Sequence, residues 1–308
     1  MDLVGRRVSV RFRDGGSPTD VVGRVLAADA AGIRVERRDG EVVVVPAGTV
    51  LAMRTVPDRP RRTRPAAAVS ADDLSRITSR GWPAIESVAL GEWELRAAGG
   101  FTGRANSAAV HGDPGTADPF GAVVDFYRSR DLRPLAQVVE GSAWDTAFED
   151  AGWVPVTGQP PGAIVQVADL ASAPPADPEV VMSPGADDTW IAGYPRAAQT
   201  PALARAVLEG PPTVAFASIG TTSPRDTVAI GRVVVTGEWA GLSAVEVRPD
   251  HRRRGLARRI VETSLAWAIE HGADKAYLQT MRDNAAAIAL YAPYGFTTHH
   301  GYRYLTCR

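Results

Sequence analysis

The chain is nearly without cysteine and lysine. Its one cysteine, Cys307, is the penultimate of 308 residues, so no intramolecular disulfide can form. Its one lysine is Lys275; every other basic residue is arginine, a bias expected of GC-rich coding, which also favours alanine, glycine and proline. No stretch approaches the roughly 18 apolar residues needed to cross a bilayer. The opening residues Met1 to Arg7 lack the apolar core of a secretory leader, so a cytoplasmic location is expected.

What is present is unevenly distributed. Net charge is −1 overall, but residues 1–64 carry 13 arginines against 8 acidic residues, and the remainder is acidic. Residues 1–57 read as short strands. Val8 to Arg13 and Ile33 to Arg37 alternate apolar and polar residues, Asp14-Gly15-Gly16 and Asp39-Gly40 are turn signals, and Val42 to Val45 is a continuous apolar strand. This order resembles SH3-like or Tudor-like barrels. Residues 58–65 combine proline with arginine and read as an extended linker that is either a solvated tether or an electrostatic contact for nucleic acid or another acidic partner.

Residues 66–176 read as helix and strand in alternation. Ser70 is the expected N-cap of a first helix. Trp93 to Ala97 and Ala105 to Val110 are expected as paired strands, followed by helices over 121–130 and 142–150. The segment Ala171 to Pro178 is either a second linker or a crossing between strands. Residues 177–308 continue with helices near 184–193 and 200–208, and with strands at 214–219, 227–236 and 241–247; a turn is expected at Ser223-Pro224. The run from Leu256 to Ile269 has helical apolar spacing, and Tyr277 to Thr280 is the next strand.

The chemistry concentrates where strand 241–247 meets the helix that follows it. Arg252-Arg253-Arg254-Gly255-Leu256-Ala257 is a basic, glycine-containing turn opening a helix. Such a turn aims backbone N–H groups and the positive end of a helix dipole at one point, which suits a phosphate or pyrophosphate. Gly255 permits close approach of the backbone to that ligand.

The turn, the strand ending Val245-Glu246-Val247-Arg248-Pro249 before it, and a later helix opened by Asp283-Asn284 and closed by Tyr291-Ala292-Pro293-Tyr294-Gly295-Phe296 together resemble the GCN5-related N-acetyltransferases (GNATs). The end of the earlier helix, Phe148-Glu149-Asp150-Ala151-Gly152-Trp153, echoes the later one. The resemblance implies an α+β/α/β chain: a small SH3-like barrel, a degenerate GNAT-like half over 66–176 that does not hold cofactor, and a catalytic GNAT half over 177–308. It implies acetyl-CoA as cofactor, with the backbone of Val245 and Val247 along the pantetheine arm and residues Arg252, Arg253, Arg254, Gly255, Leu256 and Ala257 around the diphosphate. Asn284 is expected to cap its helix, to touch the cofactor arm, or both. Tyr291 is implied as proton donor to the leaving thiolate, although Pro293 departs from the family pattern. Scarce lysine also fits an enzyme that spares itself.

Glu246 is the candidate general base, with Glu238 and Trp239 as other possible cleft residues. The loop Gly100 to Ser107 is either a polar hairpin turn or an acceptor site presenting Arg104, Asn106 and Ser107. The segment His299 to Tyr304 is either an acceptor contact or, as favoured, the last strand of the sheet; a strand puts His299 and His300 on opposite faces, so no metal site is expected. The function implied is acetyl transfer to a primary amine in a ternary complex, the acceptor being a small molecule or a protein. The other reading is an acyl-CoA-binding adaptor whose barrel, residues 1–64, contacts protein or nucleic acid weakly. A membrane role is not expected, and monomer and homodimer both stay open.

Overall fold

A computed structural model describes residues 3–37, 40–55, 64–157, 161–220 and 227–307. The chain forms two compact units, Met1–Thr63 and Arg64–Arg308. Two expected features, the linker through residue 63 and the turn at Ser223-Pro224, lie outside the described residues, as does Asp39 of the Asp39-Gly40 turn.

The first unit is a five-stranded antiparallel sheet. Its strands are β1 (Arg7–Asp14), β2 (Ser17–Asp29), β3 (Gly32–Glu36), β4 (Val42–Pro46) and β5 (Val50–Thr55), ordered β4-β3-β2-β1-β5. Alternation makes it amphipathic: Val8, Val10 and Phe12 of β1 are buried with Val21, Val25, Val35 and Val45, and the arginines between them face outward. The β1–β2 hairpin turns on Gly15 and Gly16, both at positive φ. The valine run of β4 is not buried throughout, as its composition suggests; Val45 is covered while Val42 and Val44 are 45% and 62% exposed, because only one face of so small a sheet has a core to meet.

The second unit is a single mixed sheet carrying helices. In chain order its elements are α1 (Ala71–Gly81), β6 (Glu86–Leu90), β7 (Trp93–Ala97), β8 (Ala108–Ala109), α2 (Pro119–Arg128), β9 (Ala136–Val139), α3 (Ala143–Asp150), β10 (Val154–Pro155) and β11 (Gly162–Asp169). There follow β12 (Val181–Ser183), α4 (Asp188–Ala192), α5 (Pro201–Glu209), β13 (Val214–Gly220), β14 (Thr227–Thr236), β15 (Trp239–Val247), α6 (Leu256–Glu270), β16 (Lys275–Thr280), α7 (Ala285–Tyr291) and β17 (Thr297–Thr306). The strand order is β12-β13-β14-β15-β16-β11-β17-β9-β8-β7-β6, with β10 on β17.

This order is nearly symmetric about its middle. Each half is antiparallel except for one parallel pair, β15 with β16 and β8 with β9. The joint is an exchange of strands. β11, from the first half, pairs β16 of the second from Ile164↔Thr280 to Asp169↔Lys275. β17, from the second half, pairs β9 of the first from Tyr302↔Val139 to Leu305↔Ala136. Within the one unit Arg64–Arg308, β11 and β17 thus each complete the sheet of the other half.

Local rules account for most helix starts. Ser70 and Ser142 cap α1 and α3 by accepting from Asp73 N and Asp145 N, and Asp187 accepts from Trp190 N at 2.7 Å at the start of α4. Ala105 to Val110 is not a full strand: 104–106 is one tight turn and only Ala108–Ala109 is extended.

Candidate active site

Strands β15 and β16 are paired only from Trp239↔Lys275 to Leu242↔Leu278. Beyond that point they splay. The cause is a bulge on the other side of β15: opposite β14 the pairing jumps from Arg232↔Ser243 to Ile230↔Glu246. Ala244 within it sits at φ 52°, the left-handed region rarely used by a residue with a side chain. Gly231 faces the bulge, and a Cβ there would lie 2.3 Å from Ile260 Cγ2, so glycine is what lets α6 approach the sheet at this level. The splay opens a cleft of about 910 Å³ lined on one side by 242–246 and 278–281 and on the other by residues 99–104 and 194–200.

At the end of β15 the chain makes a turn at Pro249–His251 and enters α6 through Gly255 at φ 76°. Arg253 is also left-handed, at φ 62°. Alternation of right- and left-handed residues rotates successive N–H groups to one side, and the first N–H groups of a helix have no partner within it. Arg252 is tied back to Val247 O at 3.2 Å and Arg254 to Asp250 O at 3.3 Å, and the remaining guanidinium nitrogens face outward. A Cβ at Gly255 would meet no protein atom within 4 Å, so the glycine answers to its φ and to the open space before the turn. α6 packs on β13, β14 and β15 through Ile260, Val261 and Leu265, which holds this N-terminus in place. The turn fits a diphosphate, and the unpaired edge of 243–247 fits the amide-bearing arm of a coenzyme A thioester. Val245 and Val247 turn their side chains against the core on the α6 side.

Glu246 and Tyr291 both line the cleft. Burial raises the Glu246 carboxyl above its ordinary value, with Arg196 and Arg252 opposing. Tyr291 is 6% exposed, its ring edge-on to Phe296 at 5.5 Å. Burial, and then the charge of Glu246, hold its hydroxyl protonated far above neutrality. Asn284 caps α7 by accepting from Ala287 N at 3.1 Å and also lines the cleft. The residue at Pro293 falls after α7 has ended at Tyr291, in a separate short turn, Ala292–Tyr294, so the departure from the family pattern leaves Tyr291 in the helix.

The first half has the same frame with different residues at the matching places. Phe148 takes the place of Tyr291, fully buried and edge-on to Trp153 at 4.9 Å. Trp144 takes the place of Ala287. Its indole lies against Trp93 at 4.8 Å and donates to Gly112 O at 2.9 Å.

Arg104 lines the cleft, its guanidinium 4.1 Å from the centroid of Trp82. Asn106 does not present itself: its Oδ1 accepts from Ala98 N and Gly100 N, and its Nδ2 donates to Phe101 O and Thr102 O. Ser107 is fully buried and accepts from Arg96 Nη2 at 3.1 Å. Both hold the loop in shape. Glu238 and Trp239 are also away from the cleft, Glu238 pairing with buried Lys275 at 2.7 Å. His299 and His300 meet rather than diverge, Nδ1 to Nδ1 at 2.7 Å, because a register shift between Val165 and Gln166 accommodates an extra residue in β17. Among the described residues no group of three or more His, Cys, Asp or Glu could hold a metal. Tyr194 and Arg196, which nothing in the sequence singles out, line the cleft from a short turn; Tyr302 and Tyr304, in the segment read as a last strand or an acceptor contact, lie on β17 and line it too.

This architecture defines an acetyltransferase of the GCN5-related type with a small N-terminal β-domain, for which an acyl-CoA is the donor class. The comparisons agree. Residues 72–305 match the family described as "Probable histone acetyltransferase Rv0428c C-terminal", and residues 3–54 match "Rv0428c N-terminal Sm-like domain". The chain belongs to that family, and its N-terminal domain is accordingly Sm-like. It is 32% identical to "Probable histone acetyltransferase Rv0428c" of Mycobacterium tuberculosis, over 98% of this chain and 95% of that protein. It is 26% identical to "Uncharacterized N-acetyltransferase YobR" of Bacillus subtilis, over 75% of this chain and 96% of that one. Among solved structures, a GCN5-related N-acetyltransferase from Kribbella flavida superposes with a TM-score of 0.53 at 16% identity, covering 77% of this chain and 95% of that chain. Among the described residues no helix is long and apolar enough to cross a membrane.

Proposed function

We propose that the protein transfers an acetyl group from acetyl-CoA directly to a primary amine bound in the same cleft. The observation that carries this reading is the splay of β15 from β16, with Glu246 and Tyr291 both on its walls and the Gly255 turn at the end of the same strand. When bound, the coenzyme supplies an activated acyl carbon as its thioester. The backbone of 243–247 orients the arm, and the N–H groups around Gly255 hold the diphosphate. Glu246, whose raised carboxyl is the better base near neutrality, takes the proton that an ammonium must lose before attack. The amine nitrogen bonds to the acetyl carbon, the carbon–sulfur bond breaks, and the protonated Tyr291 hydroxyl supplies the proton to the departing sulfur. Trp144 and Phe148 support one cofactor per chain, because in the first half an indole packs on Trp93 and a phenyl ring stands where the second half has the Tyr291 hydroxyl.

Calorimetry with acetyl-CoA, followed by thiol release across an amine panel, tests this. The expected result is one site per chain and amine-dependent release of free thiol. Failure to bind at millimolar acetyl-CoA defeats the reading. Cofactor affinity with no amine-dependent thiol release would favour the adaptor reading instead.

A further inference from the structure

The charge of the acceptor side is the wrong sign for a polycation. Among the described residues lining the cleft the charged side chains are Arg104, Arg196 and Glu246. Neither arginine has a carboxylate within ion-pair distance among the described residues. A third, Arg232 on β14, is 1% exposed just behind the wall. Its donors go to neutral oxygens only: Leu208 O at 2.8 Å, Gly81 O at 3.0 Å and Ser243 Oγ at 3.3 Å. Ser243 is itself a wall residue, so its hydroxyl carries the buried charge to the cleft surface. Arg104 and Arg232 share one indole, lying 4.1 and 5.2 Å from the ring centroid of Trp82. Two guanidiniums on one ring with no anion between them leave a positive potential that a low-dielectric cleft wall sustains. Tyr194, 3% exposed at the same wall, lies within electrostatic reach of Arg104, Arg196, Glu246 and Arg232.

We propose that the acceptor is a primary amine bearing a carboxylate close to its nitrogen, an α-amino acid or a small derivative of one. The ammonium lies toward Glu246 and the carboxylate toward Arg104 and Arg196, where guanidinium geometry suits it. This rests on the acetyl-transfer reading and adds the acceptor class to it.

The experiment compares kcat/KM for α-amino acids with that for the amines left on removing their carboxylate, phenylalanine against phenethylamine and leucine against isoamylamine. Spermidine and a lysine-rich peptide represent polycations. At least one amino acid should exceed its matched amine and both polycations about tenfold or more, the worth of one charge-assisted hydrogen bond. Arg104→Gln should lower that preference by about the same factor, mainly through KM. Arg196→Gln, at an exposed position, repeats the test should Arg104→Gln fail to fold; acetyl-CoA affinity is the control for folding. A preference for spermidine or for the decarboxylated amines overturns the proposal, as does an amino-acid preference unchanged in both variants. Amino acids that neither turn over nor bind the coenzyme complex by calorimetry overturn it too. In each of these cases thiol release with another amine of the set keeps the acetyl-transfer reading; loss of acetyl-CoA binding by the unaltered protein, or no thiol release with any amine, ends both.

Discussion

Arg96 and Arg232 grip the same turn of one helix from opposite halves of the sheet. Arg96 Nη1 donates to Ser79 Oγ at 2.8 Å, and Arg232 Nη2 donates to Gly81 O at 3.0 Å, both at the end of α1. They stand on β7 and β14, strands in matching places of the two halves, and both are at most 2% exposed. Burial, and to a smaller extent the charge of Arg104, pull the Arg232 guanidinium down to about 10. A buried cation satisfied only by neutral oxygens is costly, and removing it also strands the oxygens it bonds. The pair thus fixes α1 and, just beyond it, Trp82, on whose ring Arg104 of the cleft wall rests.

Arg232→Met is expected to destabilise the second unit by about 1–3 kcal/mol, since Leu208 O and Gly81 O lose their donor. Denaturant unfolding checks this. A variant as stable as the parent would mean that methionine packing offsets both lost bonds and that the clamp is not needed for the fold.

Gly255→Glu should abolish acetyl-CoA binding with little change in thermal stability. The position is exposed and its Cβ direction is empty of protein, so the fold pays only the left-handed strain of about 1 kcal/mol. The added carboxylate would occupy the diphosphate position with the wrong charge. Calorimetry and a melting curve on the same sample separate the two effects, and unchanged affinity would move the diphosphate elsewhere.

Tyr291→Phe should leave the fold and KM for acetyl-CoA nearly unchanged and lower kcat by about 10²-fold or more, the usual worth of a general acid. Phe148 is the internal control, since phenylalanine already fills the matching place in the first half against Trp153. Single-turnover kinetics should locate the loss in the chemical step; an unaltered rate would reduce Tyr291 to a core ring.

The acid limb of kcat/KM should report Glu246. Its carboxyl is raised by burial, so activity should climb with pH through a value above the ordinary carboxylate range as the base ionises. Glu246→Gln should remove that limb and lower the plateau. A limb that persists in the glutamine variant belongs to another group.

His300 should make the fold sensitive to mild acid. Burial, then His299, lowers it from an unperturbed 6.5 to about 4 in the folded protein. Between those values the unfolded chain binds more protons, so stability is full above about pH 6.5 and falls as pH drops toward about 4. Melting temperatures across this window should fall further for the parent than for His300→Gln, and parallel curves would assign the acid sensitivity to other groups.

Much of the site was legible because it depends on short-range rules. A basic glycine turn between an apolar strand and an amphipathic helix specifies its own backbone, and Asn284, Glu246 and Tyr291 follow at spacings set by strand and helix periods. Asn106 and Ser107 misled because polar residues in a loop look alike whether they face a ligand or bond their own backbone. The valines of β4 form the expected strand, but composition did not say that only one of its faces is covered.

The residues alone determined the strand-rich N-terminal region, most helix starts and the glycine turn that opens α6, since each rests on contacts a few positions apart. Only the tertiary structure decided that β11 and β17 trade places across the joint, that Arg232 lies buried behind Ser243, and that Trp144 packs on Trp93 in the first half. These are pairings between residues far apart in the chain, where the gain is buried area and satisfied hydrogen bonds, and no local pattern of side chains encodes which distant edge a strand will meet.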